Sequence, residues 1–206
     1  MTLDGNSLFD LVQLMREKAP EYVKLVTAQS EAEFDIAFDS MLERAISGLE
    51  QNSKNFKSLD EVGLSGCLAL ALSMPGLTVT QEAHSNGHVD ITINVDHCTP
   101  IRRNLGEAKI YNGPEYHVQG LGQLLKRYTT GREGRGILIV YVRKQNISGL
   151  MKKIREKMDA EHPCEQQGDT VDHAFKWSFL SRHAHSCGDV LDVSHVGCNL
   201  YNDPGP

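Results

Sequence analysis

Two acidic residues and a lysine stand in apolar, strand-like surroundings near the middle of the chain. Asp90 has an apolar residue on each side, and Glu107 is followed by Ala108 and Lys109. Because side chains alternate across a strand, we expect Glu107 and Lys109 on one face and Ala108 on the other. A buried carboxylate is costly unless it pairs with a cation or binds a metal. If Asp90 lies on a neighbouring strand, these residues form an oxygen-rich site suited to Mg²⁺.

These residues resemble the signature of the PD-(D/E)xK nuclease superfamily. Glu107-Ala108-Lys109 matches the (D/E)xK half of the motif. Asp90 matches the acidic residue of the other half, with Val89 where the motif name has proline, and the gap of 17 positions from Asp90 to Glu107 suits two adjacent strands. The resemblance implies a restriction endonuclease-like α/β fold. It also implies a nuclease that uses Mg²⁺ or Mn²⁺ to hydrolyse nucleic acid, with DNA as the expected substrate.

The resemblance further implies a role for each member of the site. Asp90 and Glu107 would hold the metal ion, together with the backbone carbonyl of Ala108. Lys109 would orient or deprotonate the attacking water, or stabilise the charge of the transition state. Metal ions in such a site acidify the water, stabilise the pentavalent phosphorus and neutralise the leaving oxygen. Glu61, early in the preceding helix, would supply a further metal ligand, although it also suits the capping box of that helix.

The helix predicted after the third strand carries two glutamines one turn apart, Gln119 and Gln123. Related nucleases often have a glutamine and a tyrosine on this helix facing the active site, so the resemblance implies catalytic roles for both glutamines. Tyr128 lies five positions beyond Gln123, one more than the usual spacing, and is therefore not assigned to the site. The alternative is that the polar residues of this helix simply face solvent.

The elements predicted around the motif follow the order helix, three strands, helix, strand, which is the αβββαβ core order of the superfamily. A capping box with Ser58 as N-cap opens the first helix, and Ser85-Asn86-Gly87 predicts a hairpin turn between the first two strands. Apolar patterning predicts the other elements, namely strands at 77–83, 88–95, 105–111 and 134–143 and a helix at 115–128.

Helices precede this core and a hairpin follows it. Apolar stripes predict helices over residues 6–27, kinked or split at Pro20, and over residues 30–49. After the core, the sequence predicts a basic amphipathic helix at 147–160 and a C-terminal β-hairpin with its turn near residues 187–189. We therefore expect an N-terminal helical extension over residues 1–57, which also supplies part of a homodimer interface, and a nuclease-like domain over residues 58–206.

Charge is distributed unevenly along the chain. The net charge is −6, yet residues 101–157 hold 13 Lys and Arg against 4 Asp and Glu. A local basic field steers a polyanion more effectively than total charge does. The alternative is a set of solvated helix faces. The residues that we expect to contact phosphates are Arg102, Arg103, Lys126, Arg127 and Arg132.

Composition narrows the other possibilities. The chain has no apolar run of about 18 residues and no signal-peptide pattern, so we expect no membrane span and a cytoplasmic location. Five scattered cysteines suit a reducing compartment rather than a disulfide framework. No P-loop, GxGxxG or GxSxG motif is present. Zinc is physically possible on the final hairpin, although no CxxC or HxxxH knuckle is present, and its candidate ligands are His183, His185, Cys187, His195 and Cys198.

Three functions fit these observations. The first is a Mg²⁺-dependent nuclease, whose small size suits, by analogy, a bacterial or phage-defence effector that acts as a homodimer or in a larger defence complex. The second is a non-catalytic nucleic-acid-binding or assembly subunit with the same fold. The third is an unrelated α/β interaction module in which the motif is coincidental. The intact trio of Asp90, Glu107 and Lys109 favours the first, because a decayed site usually loses a member.

Overall fold

The computed structural model describes residues 7–84, 88–95 and 102–203, with side chains described at all of these except 82–84, 88 and 89. The described part of the chain is a mixed α/β protein with six α-helices and one seven-stranded sheet. The chain divides into two compact units, one ending at Arg44 and the other starting at Ala45. This division falls within a helix, whereas the sequence pattern placed the end of the helical extension at residue 57.

The first unit is helical. Helices α1 (Leu8–Lys18) and α2 (Pro20–Thr27) are separate, because Pro20 cannot donate the backbone hydrogen bond that would continue α1. Helix α3 (Glu31–Gln51) begins in this unit and ends in the second. No residue of α1 is buried. A homodimer interface on this unit stays a prediction.

The second unit is built on a mixed sheet. Its strands are β1 (Leu77–His84), β2 (His88–Val95), β3 (Arg102–Ile110), β4 (Gly136–Val142), β5 (Val171–Asp172), β6 (Ser178–Ala184) and β7 (Val190–Asn199). They lie in the order β1-β2-β3-β4-β7-β6-β5. Strand β4 pairs in parallel with β3 and with β7, and the other neighbouring pairs are antiparallel. Every residue of β4 is buried, as expected for a central strand with parallel neighbours.

Three helices of this unit pack on the sheet. They are α4 (Glu61–Leu72), α5 (Pro114–Gln123), which continues into a π-helical turn (Leu124–Tyr128), and α6 (Ile147–Glu161). The N-cap of α4 is Asp60, whose Oδ1 accepts a hydrogen bond from the Gly63 N–H at 2.8 Å. The predicted cap at Ser58 is therefore wrong, because the helix starts two residues later than the capping-box pattern indicated. Glu61 becomes the first residue of the helix.

The order α4-β1-β2-β3-α5-β4 is the predicted order of elements, and β6 and β7 form the predicted hairpin. Strand β3 begins at residue 102 rather than 105, and β5 was not predicted. The predicted turn at 85–87 lies outside the described residues. Within the part of the chain that the structure describes, no helix has the length and apolar character needed to cross a membrane.

Candidate active site

The pairing of β2 with β3 brings the two acidic residues of the motif together. These strands are antiparallel, with Ile91 opposite Gly106. One step further along the pair lie Asp90 and Glu107. Opposite residues of an antiparallel pair project from the same face, with Cβ atoms about 5 Å apart. The two carboxylates therefore lie side by side.

The ammonium group of Lys109 connects Glu107 to a carboxylate on α4. Its Nζ atom lies 2.6 Å from Glu107 Oε1 and 3.3 Å from Glu61 Oε1. Glu107 and Lys109 are two residues apart on β3, so their side chains share a face and can pair. Glu61 reaches the same ammonium because it occupies the first turn of α4. Helix α4 and strands β2 and β3 thus contribute to a single polar cluster.

Two of these carboxylates also accept hydrogen bonds from the part of β3 that lies beyond its pairing with β2. The described ladder with β2 ends at Gly106, so the backbone N–H groups further along β3 need other acceptors. The Ala108 N–H donates to Asp90 Oδ2 at 2.9 Å, and the Ile110 N–H donates to Glu61 Oε2 at 2.8 Å. These bonds fix both carboxylates relative to the strand.

Arg143, just beyond β4, holds the segment that leads into α4. Its guanidinium donates to the carbonyl oxygens of Phe56 and Leu59. Since α4 begins two residues after Leu59, this contact fixes the start of the helix and hence the position of Glu61. No sequence motif marks this role of Arg143.

Glu107 is almost fully buried, with 1 % of its surface exposed. Burial, reinforced by the negative charge of Asp90, raises the pKa of Glu107 to about 7, although its hydrogen bond to Lys109 opposes the shift. Burial also raises the pKa of Asp90, against the hydrogen bonds from the Ala108 N–H and from Glu107. Glu107, whose pKa is raised to about 7, takes up a proton as the pH falls through neutrality.

Lys109 supplies the positive charge of the cluster. Burial alone would lower the pKa of Lys109, but the hydrogen bond and charge of Glu107, with the charges of Glu61 and Asp90, raise it above its usual value. The lysine is therefore charged at neutral pH. When all groups are ionised, three carboxylates and one ammonium leave two negative charges in a largely buried setting.

The cluster has the chemical character of a divalent-cation site. Its donors are hard carboxylate oxygens, which Mg²⁺ and Mn²⁺ prefer. The Oε2 atom of Glu107 is buried and receives no hydrogen bond from the described residues. Among the described residues, however, no three His, Cys, Asp or Glu side chains already surround one metal position. The Lys109 ammonium lies against Glu107 and Glu61, so part of the negative charge of the cluster is already balanced.

Helix α5 approaches this cluster at Gly120. A Cβ atom at that position would lie 3.1 Å from Lys109 Cγ, so a glycine allows the helix and the lysine to pack closely. Tyr116, one turn earlier, has its ring centroid 5.9 Å from Lys109 Nζ, which is within cation–π distance. Tyr116 was not predicted, because no residue pattern marks it.

The two predicted glutamines of α5 differ in their surroundings. Gln119 is exposed and Gln123 is half-buried. The Oε1 atom of Gln123 is buried and has no hydrogen-bond partner among the described residues. No hydrogen bond in the described part of the chain joins either glutamine to Asp90 or Glu107. The structure brings Asp90, Glu107, Lys109 and Glu61 together, but it does not bring Gln119 into that cluster.

Tyr128 lies near the carboxylates, although its spacing excluded it from the predicted site. The chain forms a π-helical turn here, and the Thr129 N–H donates to the Leu124 carbonyl, five residues back. A π turn takes up one extra residue, so the five positions from Gln123 to Tyr128 amount to one turn. Burial, followed by the negative charges of Glu107 and Asp90, raises the pKa of the Tyr128 phenol. The extra residue in the spacing from Gln123 to Tyr128 is explained by the π turn, which the sequence pattern alone did not indicate.

If the cluster cleaves nucleic acid, as the sequence resemblance implies, Tyr128→Phe should slow cleavage by about tenfold, because it removes a hydroxyl that the π turn places near both carboxylates. The ring stays buried, so the free energy of unfolding should change by no more than about 1 kcal/mol. Single-turnover cleavage rates and urea unfolding measure the two effects. Tyr201→Phe, the same change at a half-buried position near the C-terminal end, is the control and should leave the rate unaltered. Equal rates for Tyr128→Phe and the parent protein would contradict the assignment.

The predicted phosphate-contacting residues lie outside the carboxylate cluster. Arg103 and Arg132 are exposed, and Arg103 Nε donates to Asn94 Oδ1 at 3.0 Å. Arg102 and Arg103 open β3, while Arg132 lies in the loop before β4, and both parallel strands start at the same end of the sheet. Arg103 precedes Glu107 by four positions on β3, which corresponds to about 13 Å. That distance corresponds to about four nucleotides along a B-form strand. Lys126 and Arg127 are exposed on the π turn.

The zinc alternative on the final hairpin is not assembled in the described residues. His183 and His195 both bond to Ser181 Oγ, each at 2.7 Å. His185 bonds instead to the Thr129 hydroxyl at 3.1 Å. The imidazoles therefore serve hydrogen bonds within the fold.

No protein-family model matches this chain, and comparisons with curated proteins and with solved structures return no match either. The function must therefore be inferred from the geometry and chemistry of the site.

Proposed function

We propose that this protein is a divalent-metal-dependent nuclease with a restriction endonuclease-like core and that DNA is its substrate. The observation that carries the proposal is the convergence of Asp90, Glu107 and Lys109 on the β2–β3 pair, with Glu61 bonded to the same lysine. The order α4-β1-β2-β3-α5-β4, with β3 parallel to β4, supports it. A cytoplasmic location, a defence role and a homodimer or larger complex remain predictions from the sequence.

The residues of the cluster divide the work in this proposal. Asp90 and the unbonded oxygen of Glu107 would hold Mg²⁺ or Mn²⁺, with the Ala108 carbonyl and Glu61 as further oxygen ligands. When bound, the ion supplies water activation and charge stabilisation. Glu107 would have to be ionised and to release Lys109, because a proton and the ammonium group both compete with the metal ion. Lys109 keeps its bond to Glu61 and holds a positive charge beside the reacting phosphate.

A second candidate is a nucleic-acid-binding subunit that does not cut. The observation that favours it is the ion pair of Lys109 with Glu107, which is 2.6 Å long and already neutralises part of the cluster. In such a protein the carboxylates would tie α4 to β3, and binding would depend on the basic residues alone.

A cleavage assay separates these two candidates. Supercoiled plasmid, single-stranded DNA and RNA are each incubated with the protein in Mg²⁺, Mn²⁺ or EDTA. The proposed nuclease cuts at least one substrate with a divalent ion and none in EDTA. Binding without cutting of any substrate, in a gel-shift assay on the same samples, would instead establish the second candidate.

Neutralising three of the exposed basic residues should flatten the salt dependence of DNA binding. In the triple variant Lys126→Gln, Arg127→Gln, Arg132→Gln, the slope of log K against log salt should fall by about three units, since each phosphate contact contributes about one. Fluorescence anisotropy over a salt series measures the slope. The control is Lys152→Gln with Lys153→Gln, which removes two exposed charges of α6 from the same basic segment. A slope that stays unchanged in the triple variant would show that these residues are merely solvated.

A further inference from the structure

Three histidines and a serine form a continuous hydrogen-bonded chain between α5 and the β6–β7 hairpin. His117 Nε2 lies 2.7 Å from His195 Nδ1, and His195 Nε2 lies 2.7 Å from Ser181 Oγ. Ser181 Oγ is also 2.7 Å from His183 Nε2, and His183 Nδ1 is 3.0 Å from the Cys164 carbonyl oxygen. None of the four side chains is more than 2 % exposed. The candidate site uses none of them.

The Cys164 carbonyl sets the direction of every bond in this chain, because a carbonyl oxygen only accepts. His183 therefore carries its proton on Nδ1 and accepts at Nε2 from the Ser181 hydroxyl. That hydroxyl accepts from the His195 Nε2–H, and His195 Nδ1 accepts from the His117 Nε2–H. All three imidazoles are neutral in this arrangement. The free lone pair is His117 Nδ1, which is buried and has no partner among the described residues.

The surroundings of the chain oppose a charge on any imidazole. Phe179 stacks on His195 with ring centroids 4.4 Å apart. Burial lowers the pKa of His117 to about 3 and lowers those of His195 and His183 as well. The negative charge of Asp192 acts in the opposite sense on His183 but does not reverse the shift. The elements packed around the chain carry charged groups at Glu115 on α5, at Arg102, Arg103, Glu107 and Lys109 on β3, at Lys152, Lys153, Arg155, Glu156, Lys157, Asp159 and Glu161 on α6, at Arg182 on β6 and at Asp192 on β7.

We propose that this chain is a proton-sensitive lock, which holds α5 on the sheet while its imidazoles are neutral and releases the helix when acid protonates them. Release would affect the candidate site, because α5 packs Gly120 against Lys109 and leads into the turn that carries Tyr128. This regulatory consequence rests on the proposed function. The lock itself does not, since it involves neither metal nor nucleic acid.

The sign of the pH dependence follows from the direction of the pKa shifts. A histidine whose folded-state pKa is lowered contributes stability that is present above its unfolded-state value near 6.5 and is lost as the pH falls below it. From pH 6 to pH 5, one such imidazole raises the unfolding equilibrium constant by about eightfold. His195 and His183 contribute in the same direction, because burial lowers the pKa of each.

Urea unfolding at pH 6 and pH 5 tests the lock. His117→Gln keeps a side-chain N–H that can donate to His195 but cannot take up a proton in this range. The factor by which the unfolding equilibrium constant rises between pH 6 and pH 5 should therefore be about eight times smaller in His117→Gln than in the parent protein. His162→Asn is the control, because His162 is exposed, lies outside the chain and has a left-handed backbone (φ 44°) that asparagine tolerates. An equal rise in the parent protein and in His117→Gln would overturn the proposal.

Hydrogen exchange of the unmutated protein provides a test that needs no variant. After correction for intrinsic exchange, the amides of α5 should lose protection between pH 7.5 and pH 5.5 before those of α6 do. Loss of protection in both helices together, or continued protection of α5, would overturn the lock. If α5 opens as expected in a protein that cuts no nucleic acid, the lock stands and the proposed function fails.

Discussion

Asp90→Asn is expected to reduce the rate of Mg²⁺-dependent cleavage by about a thousandfold while the protein stays folded. The amide keeps one oxygen that can accept the Ala108 N–H, so the link to β3 survives. It lacks the negative charge that a divalent ion needs. Because the negative charge of Asp90 raises the pKa of Glu107, the change also relieves a repulsion on Glu107. Activity should fall without a loss of thermal stability.

A second variant and a control make this prediction specific. Glu107→Gln should cause a loss of similar size, since it removes the other carboxylate of the pair. Glu156→Gln removes a surface carboxylate whose side chain is 62 % exposed, and it should cut at the parental rate. Calorimetric titration with Mg²⁺ in the absence of substrate should show weaker binding in Asp90→Asn. Parental cleavage rates in both Asp90→Asn and Glu107→Gln would rule out the assigned site.

The parts of the site that follow from local periodicity could be predicted from the sequence. Alternation along β3 puts Glu107 and Lys109 on one face, and the two strand patterns put Asp90 opposite them. The order of helices and strands along the chain around the motif could be predicted in the same way, from turn residues and apolar runs. These inferences need only the geometry of a strand and its nearest neighbour.

The parts that depend on distant contacts could not be predicted. The π turn that brings Tyr128 near the carboxylates shifts the spacing by one residue and has no distinct sequence pattern. The chain from His117 to His183 joins residues that are 66 positions apart in sequence, through a pairing of α5 with the hairpin that no local pattern specifies. The predicted start of α4 was wrong because Ser58 and Asp60 are both acceptable N-caps. Which of them caps the helix depends on tertiary contacts that the local sequence does not specify.

Lys109→Met is expected to lower the free energy of unfolding by about 3 kcal/mol at pH 8, and by less at pH 6. Removing one partner of a buried ion pair leaves an uncompensated charge, which is strongly destabilising. Without the ammonium, the pKa of Glu107, already about 7, should rise further. A carboxyl whose pKa is raised in the folded state makes the protein less stable as the pH rises from the unfolded-state pKa towards the folded-state pKa. At pH 6 the variant keeps a proton on Glu107 and avoids most of the loss, which urea unfolding at the two pH values measures.

Magnesium should restore part of this stability at pH 8, because it supplies the positive charge that the lysine supplied. The increase in the free energy of unfolding on adding Mg²⁺ should therefore be larger in Lys109→Met than in the parent protein, in which the ion competes with the ammonium for Glu107. Lys152→Met is the control, since that lysine is 75 % exposed and its loss should change neither value. Equal destabilisation at both pH values would mean that the lysine stem stabilises the fold by packing alone. A failure of Mg²⁺ to stabilise Lys109→Met would mean that these carboxylates do not bind the ion, even after the competing ammonium has been removed.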